Sequence, residues 1–292
     1  MNLDEIKNSI SNLTIWKKGN QRAPHKPLLL LYALGQLQKG NPRFLPYEQT
    51  GQDLKQLLVD FGPIRKSYHP EEPFVRLSRD GIWELDKPVN LSSPNNRKLI
   101  EEAVAGGFIP EVYKTLKDNM NLIPELAQII LEQHFPASIH DDILSAVGLD
   151  FSFTYTKKRK RDSKFRDKIL RAYGYSCAVC GFNVRLAHTL VGVEAAHIKW
   201  HQAGGPDVEE NGIALCSLHH KLFDRGVFTI NNDRRMIVSQ DAHGTNGFNE
   251  WLMRYHGNEI LKPIEESYYP KDDFIYWHVK EVFKGPERYV IS

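Results

Sequence analysis

Two pairs of side chains in the second half of the chain have the spacing of metal ligands. Two residues separate Cys177 from Cys180, and two separate Cys216 from His219. Three thiolates and one imidazole form a common tetrahedral set for Zn²⁺. A lone C-x-x-C also suits a redox pair, but the matching C-x-x-H, in a chain with only 3 cysteines, favours metal. We therefore predict a structural zinc site, since protein groups would fill every position around the ion.

The segment between the two pairs is expected to be braced by that zinc site. "TLVGVEAAHI" has the pattern of a strand, "HQAGGPDVEENG" that of an ordered loop and "LCSLHHKLFD" that of a helix. A β-hairpin with a helix packed across it can hold a divalent ion between strand and helix. The spacing thus indicates a second metal-binding position beside the first.

This segment resembles the HNH nucleases of the ββα-metal fold through "VEAAHIKW" and "GGPDVEENGIALCSLHHKLFDRG". The resemblance covers roughly residues 164–240 and places His197, Asn211 and His220 at the His-Asn-His positions. Phosphodiester hydrolysis needs a base for the attacking water and a cation for the scissile phosphate. The resemblance implies that His197 is the base and that His220 binds Mg²⁺ or Mn²⁺. Asn211 would orient the loop and His197, or lend its carbonyl oxygen to the cation.

The ligand set of that cation departs from the family in one place. Many relatives have an acidic residue directly before the first histidine, where this chain has Ala196. Glu194 lies two residues earlier, on the same strand face, and is a candidate ligand or a structural residue. We expect Asp224 to end the helix with a salt link and His201 to lie exposed in the loop.

Two stretches in the first half of the chain, "RAPHKPLLLLYAL" and "SYHPEEPFVRLSRDGIWEL", carry a second resemblance. They resemble the sulfur-binding domain of restriction enzymes that attack phosphorothioated DNA, and the resemblance covers roughly residues 20–85. Sulfur is larger and less well hydrated than oxygen, so an apolar cup accepts it at low desolvation cost. The resemblance implies that the cup is formed by Tyr68, His69, Pro70 and Pro73. It also implies that the remaining anionic oxygen and the adjacent phosphates are bound by Arg22, His25 and Lys26. The alternative is that the prolines only start a helix and form a rigid turn.

The elements that must position these residues suggest an α+β protein. The spacing of Leu3, Ile6 and Ile10 predicts a first helix. A second helix is predicted from Pro27 to Gly40, and a third is predicted to end at Gly62. The Asp-Gly pair in "PFVRLSRDGIWEL" predicts a hairpin, and residues 96–148 are predicted to be helical pieces separated at Gly106–Gly107 and at two prolines. We expect an N-terminal, mostly helical, winged-helix-like sulfur-binding domain and a C-terminal, zinc-braced ββα-metal HNH nuclease domain.

The predicted domains are residues 1–150 for DNA recognition, 151–163 as a linker and 164–292 as the nuclease with a C-terminal extension. The linker contains the basic run Lys157–Arg161, which is a solvated segment or follows the phosphate backbone. The extension from residue 247 is rich in aromatic residues and is expected to pack on the nuclease domain or to form a dimer contact.

Bulk composition excludes several classes of protein. With 41% hydrophobic and 25% charged residues, the chain has the composition of a globular protein. It contains no apolar run long enough for a membrane helix, and its start lacks the layout of a signal peptide. An odd number of cysteines does not form a disulfide framework. We predict a cytoplasmic protein that does not contact membranes.

Together these features predict a type IV restriction endonuclease that recognises phosphorothioated double-stranded DNA and cuts it with a metal-dependent HNH centre. One centre per chain favours a homodimer for cutting both strands. The alternatives are an HNH nuclease that reads methylated or unmodified DNA, an RNA or toxin-type nuclease, and a non-catalytic, zinc-braced DNA-binding protein. The last of these is supported by Ala196.

Overall fold

A computed structural model describes residues 1–16, 19–149 and 163–289 of the chain. The chain divides into two compact units, Met1–Thr154 and Tyr155–Ser292. Residues 151–162 of the predicted linker lie outside the described residues, and these include the basic run Lys157–Arg161. Among the described residues, none of the helices combines the length and apolarity that a membrane crossing requires.

The first unit consists of helices and a small antiparallel sheet. Its helices are α1 (Leu3–Ser11), α2 (His25–Gln38), α3 (Tyr47–Phe61), α4 (Glu71–Arg76), α5 (Asn96–Glu101), α6 (Pro110–Asp118), α7 (Leu122–His134) and α8 (His140–Val147), and its strands are β1 (Leu45–Pro46), β2 (Trp83–Leu85) and β3 (Ala105–Phe108). The strand order is β1-β3-β2.

Helix α2 forms the centre of this unit. Its residues from Leu28 to Leu34 are all buried, because α2 packs against α3, α4, α7 and α8. A helix covered on every side is apolar all round. The predicted helix from Pro27 to Gly40 corresponds to α2, and Gly62 ends α3 as predicted.

The predicted hairpin in "PFVRLSRDGIWEL" is wrong. Its first half forms the short helix α4 and a 3-10 turn over Leu77–Asp80, and only β2 is a strand. Phe74 and Val75 are adjacent and both fully buried, which a half-buried strand with alternating faces does not allow. Strand β2 pairs instead with the distant β3.

The glycine pair Gly106–Gly107, predicted to separate two helices, lies inside β3, the central strand. A Cβ atom at Gly106 would lie 2.8 Å from the ring of Phe74 and 2.9 Å from that of Trp83. Glycine therefore allows the two rings to pack edge to face at 5.8 Å between their centroids. With this sheet among the helices, the predicted α+β class is confirmed.

The second unit contains the predicted ββα arrangement. Its helices are α9 (Ser163–Ala172), α10 (Ser217–Asp224), α11 (Phe248–Trp251) and α12 (Asp272–Glu281), and its strands are β4 (Arg185–Leu186), β5 (Thr189–Leu190), β6 (Val193–His197), β7 (Gly212–Cys216), β8 (Phe228–Ile230) and β9 (Met236–Val238). Strands β6 and β7 pair antiparallel, with His197 opposite Gly212. Helix α10 follows β7 directly and packs against the hairpin, as does α9.

The described part of the C-terminal extension packs on this same unit. Helix α12 contacts β8, and the ring of His278 is stacked on Phe223 with 3.8 Å between centroids. His278 also hydrogen-bonds the hydroxyl of Thr229 at 2.9 Å. Packing on the second unit, one of the two predicted alternatives, is therefore present.

Candidate active site and metal centres

The four predicted zinc ligands converge. Cys177, Cys180, Cys216 and His219 each offer one donor atom within 4.8 Å of the others. The Nδ1 atom of His219 lies 3.1 Å from the sulfur of Cys216 and 3.7 Å from that of Cys177. A tetrahedron built on bonds of about 2.3 Å to sulfur and about 2.0 Å to nitrogen has edges of roughly 3.5–3.8 Å. The cluster therefore has the donor set and the size that a zinc ion requires.

The surroundings of the cluster prepare its ligands. The Nε2–H of His219 donates to the carbonyl oxygen of Trp251 at 2.8 Å, which leaves Nδ1 as the nitrogen that faces the sulfurs. Hydrogen bonds from Cys180 and Cys216 hold the pKa of the Cys177 thiol far below its ordinary value, while hydrogen bonds with Cys177 and Cys180 hold that of the Cys216 thiol far above it, so the thiolate resides on Cys177. A thiolate is the form in which cysteine binds metal.

His220, the next residue of α10, lies between two carboxylates. Its Nδ1 atom is 2.7 Å from Oε2 of Glu194, and its Nε2 atom is 3.1 Å from Oδ2 of Asp224. Glu194 also accepts a hydrogen bond from the hydroxyl of Ser217 at 3.0 Å, and Asp224 accepts one from the indole N–H of Trp200 at 3.1 Å. Adjacent helical residues point about 100° apart, so His219 and His220 serve two different clusters.

The electrostatics of this second cluster favour a cation. Burial lowers the pKa of His220, but the carboxylates of Asp224 and Glu194 outweigh it and raise the pKa to about 9. The side chain of Asp224 is only 2% exposed, whereas that of Glu194 is 39% exposed. A carboxylate and an imidazole, completed by water, suit Mg²⁺ or Mn²⁺, and Glu194 is the carboxylate exposed enough to reach an ion from solvent. Ala196 is fully buried opposite Ile213 in the hairpin.

His197 lies at the end of β6 and is held from two directions. Its Nε2 atom is 2.7 Å from Oδ1 of Asp207, and its ring is stacked on Phe165 of α9 with 4.0 Å between centroids. Gly212, opposite His197, leaves the room that α9 needs, since a Cβ atom there would lie 2.1 Å from Ile169. Burial lowers the pKa of His197 and Asp207 opposes the shift only in part. The imidazole is therefore neutral near pH 7 and can accept a proton.

Asn211 is fully buried and clamps the loop that follows His197. Its side-chain oxygen accepts the N–H of Lys199 at 2.8 Å, and its NH₂ group donates to the carbonyl oxygens of Lys199 at 3.0 Å and Pro206 at 2.9 Å. A Cβ atom at Gly205 would lie 1.8 Å from the carbonyl oxygen of Lys199, so the loop closes only because this residue is glycine. The clamp holds the segment that carries Asp207.

In the first unit, several of the predicted DNA-binding residues lie at the start of α2 and in the loop before α4. Burial, together with the nearby charges of Arg65 and His69, lowers the pKa of His25 to about 4. The guanidinium group of Arg22 donates to the carbonyl oxygen of Phe61 at 3.4 Å, at the end of α3. Basic side chains from two distant segments thus meet at one end of α2.

The other residues predicted for DNA contact differ in their exposure. The ammonium group of Lys26 is paired with the buried carboxylate of Asp80. The side chain of His69 is 59% exposed, Tyr68 is half-buried, and Pro70 and Pro73 are buried at the start of α4. Any cup at this position would therefore present Tyr68 and His69 to the ligand, with the prolines behind them.

Three residues with a place in these clusters were missed from the sequence. Asp224 is predicted from the sequence only to end the helix, although its position four residues after His220 puts both on one helix face. Arg65 directly precedes the "KSYHP" stretch, so its positive charge beside the predicted sulfur-binding residues could have identified it as a DNA-contact candidate. Asp207 reaches His197 only through the fold of the intervening loop, and no local pattern announces that contact.

Comparison with known proteins identifies both units. Residues 3–152 match the family model "ScoMcrA-like, DNA sulfur-binding domain", and residues 177–231 match the model "HNH endonuclease". Both resemblances predicted from the sequence are confirmed by these matches. No match to a curated protein is found.

Solved structures similar to the chain include two sulfur-binding domains complexed with phosphorothioated DNA. That of ScoMcrA is 22% identical, covers 49% of this chain and 94% of its own, and has a TM-score of 0.43. That of SprMcrA is 21% identical, covers 51% and 95%, and has a TM-score of 0.44. The modification-dependent restriction endonuclease TagI is 22% identical, covers 46% and 41%, and has a TM-score of 0.31. At these TM-scores the structures add nothing to what the family models establish.

Proposed function

Because the chain belongs to the ScoMcrA-like DNA sulfur-binding domain family, we propose that it binds phosphorothioated double-stranded DNA with residues 3–152 and cuts it nearby with its HNH domain. It would thus act as a type IV, modification-dependent restriction endonuclease. The observation that carries the proposal is the presence, in one chain, of this recognition family and of an HNH unit whose His220 lies between two carboxylates.

Recognition begins with the basic end of α2. Arg22 and Arg65 would bind the phosphates, while His25, with a pKa near 4, would donate a hydrogen bond without a charge. Tyr68 and His69 would contact the sulfur, backed by Pro70 and Pro73. Lys26 contributes less charge than the sequence suggested, since Asp80 balances it.

Catalysis would use His197 as the general base. Asp207 can only accept a hydrogen bond as a carboxylate, so it holds the proton of the neutral imidazole on Nε2 and leaves Nδ1 to take a proton from water. Asp207 is thus a positioning residue for His197. Asn211 acts on His197 indirectly, because it holds closed the loop that carries Asp207.

A divalent cation, Mg²⁺ or Mn²⁺, would supply charge for the scissile phosphate and the leaving oxygen. Glu194 and His220 would hold it, and Asp224 would orient His220 from the buried side. Glu194 would then supply the carboxylate that many relatives have at the position of Ala196. The Cys₃His cluster would hold zinc and fix α10.

Two further expectations follow because the proposed substrate is incoming, double-stranded DNA. A chain with one such centre would cut both strands as a homodimer, formed at least transiently on DNA. A restriction enzyme must also meet incoming DNA, which places it in the cytoplasm.

The test uses one plasmid prepared with and without phosphorothioate linkages, incubated with the protein and Mg²⁺ or Mn²⁺. We expect cutting of the sulfur-bearing plasmid alone, and no cutting by His197→Ala. Equal cutting of both plasmids would refute sulfur recognition but would still support the proposed nuclease activity. If neither plasmid is cut while zinc remains bound, the chain is a binding protein or reads another modification.

A further inference from the structure

A third group of side chains that could hold a metal ion includes the proposed base, His197. His197, His201 and Asp207 each offer one donor atom, and these atoms lie within 4.8 Å of one another. Oδ1 of Asp207 is 2.7 Å from Nε2 of His197 and 3.6 Å from Nδ1 of His201. None of the three belongs to the Cys₃His cluster or to the cluster around His220.

The three side chains are held in different ways. His197 is fixed by its stacking on Phe165, and Asp207 lies on the loop that Asn211 clamps. His201 is 57% exposed, on a 3-10 turn, so its ring can turn toward an ion. Bonds of about 2.0–2.2 Å from imidazole and carboxylate place donors roughly 3.3–3.5 Å apart. Asp207 would move less than about 1 Å from His197 to meet that requirement, and the exposed ring of His201 can turn to close its distance to His197.

We propose that His197, His201 and Asp207 form an inhibitory site for borderline transition-metal dications such as Zn²⁺. Two imidazoles and one carboxylate favour Zn²⁺, Co²⁺ or Ni²⁺ over Mg²⁺, which prefers oxygen donors. The three protein donors leave a coordination position for water. The site differs from the one that supports hydrolysis in both its residues and its preferred ion.

Inhibition follows from the proton on the imidazole. A metal ion at Nε2 of His197 displaces the proton that Nε2 donates to Asp207. A neutral imidazole keeps one proton, which then resides on Nδ1, the nitrogen that must accept a proton from water. The metal therefore removes both the basic nitrogen and the hydrogen bond that orients it. This inference rests on the proposed role of His197, but the metal site itself does not.

The experiment compares the full chain with His201→Gln, which removes one ligand and leaves His197 and Asp207 in place. Both proteins are dialysed against zinc-buffered solution with excess Mg²⁺, bound zinc is measured by atomic absorption, and Mg²⁺-supported plasmid cleavage is followed as zinc is raised. His188→Gln, an exposed histidine in the turn between β4 and β5, is the matched control.

We expect His201→Gln to bind one zinc ion fewer per chain than the wild type and the control, and to cut DNA normally with Mg²⁺. The zinc concentration for half-inhibition should rise at least about tenfold, since even outer-shell changes cost about 10–100-fold in affinity. Equal zinc contents would overturn the site. A lower zinc content with unchanged inhibition would overturn the inhibitory role and assign it to the His220 cluster. If no protein cuts DNA, the proposed nuclease function fails, while the zinc contents still decide the site.

Discussion

Replacing Asn211 by aspartate separates the two roles that the sequence left open for it. In the structure the side-chain oxygen accepts the N–H of Lys199, and the NH₂ group donates to the carbonyls of Lys199 and Pro206. Asn211→Asp keeps the shape and the accepting oxygen but replaces the donor group with a second oxygen. Two buried carbonyl oxygens would then face a carboxylate about 3 Å away.

The expected magnitude follows from the lost donors. Each buried polar group without a partner costs about 1–3 kcal/mol, so the closed loop loses roughly 2–6 kcal/mol. A carboxyl that takes up a proton regains one donor, so the smallest loss is about 1 kcal/mol, which corresponds to about 5-fold in rate. With both donors lost, the smallest loss is about 2 kcal/mol, or about 30-fold. We therefore expect the single-turnover cleavage rate to fall by at least about 5-fold, because Asp207 no longer holds His197.

Single-turnover cleavage measured over a range of Mg²⁺ concentrations is the assay, with hydrogen exchange of the amides in residues 199–211 as a direct readout of the loop. The matched control is Asn231→Asp, whose side-chain oxygen accepts the N–H of Arg235 at 2.9 Å and still does so as a carboxylate. If Asn211 binds the cation instead, a carboxylate should bind it more tightly. A lower Mg²⁺ requirement at an undiminished rate would therefore refute the clamp.

Four further changes test the remaining parts of the structure. Glu194→Gln should raise the Mg²⁺ concentration for half-maximal cleavage by at least about tenfold, and an unchanged Mg²⁺ titration would exclude Glu194 as a ligand. Cys180→Ser should remove one zinc ion and lower the melting temperature of the second unit by at least about 4 °C, which corresponds to 1 kcal/mol in a small domain. Arg65→Ala should weaken binding of phosphorothioated DNA and reduce the slope of log affinity against log salt by about 1, measured by fluorescence anisotropy. His134→Gln should make stability less dependent on pH, because desolvation of the half-buried ring lowers the pKa of His134 from an ordinary 6.5 to about 4 and the folded state loses stability as pH falls through that range. The free energy of unfolding in urea should therefore fall less between pH 7 and pH 5 in the variant than in the wild type, and an equal fall in both would contradict the lowered pKa.

The parts of the site that lie on one turn or one helix were predictable from the sequence. Cys177 with Cys180, and Cys216 with His219, are brought together by local chain geometry, and only their meeting is long-range. Asp224 was also within reach of prediction, because residues four apart on a helix are neighbours. The helix α2 was evident from its unbroken apolar run.

The parts that were missed depend on contacts between distant segments. The pairing of Lys26 with Asp80 joins residues far apart in sequence, so the charge of Lys26 could be counted but not its partner. The Asp80–Gly81 pair has the sequence of a hairpin turn, whereas in the structure Gly81 adopts φ 75° after a 3-10 turn. Strand β3 lacks any strand-like run, because both of its glycines are required by distant contacts. The rings of Phe74 and Trp83 leave no room for a Cβ atom at Gly106, and the carbonyl oxygen of Arg43 leaves none at Gly107.

Helix α10 connects the two candidate metal clusters that the sequence places side by side. Its 8 residues carry His219, which faces the cysteines, and His220, which faces Glu194 and Asp224. Because the two histidines are a fixed rotation of about 100° apart, any turn of the helix that displaces one displaces the other. A zinc ion that fixes His219 therefore also fixes the direction of His220. On this reasoning the Cys₃His cluster acts on cation affinity as well as on stability, and Cys180→Ser protein that remains folded should still require more Mg²⁺ than the wild type.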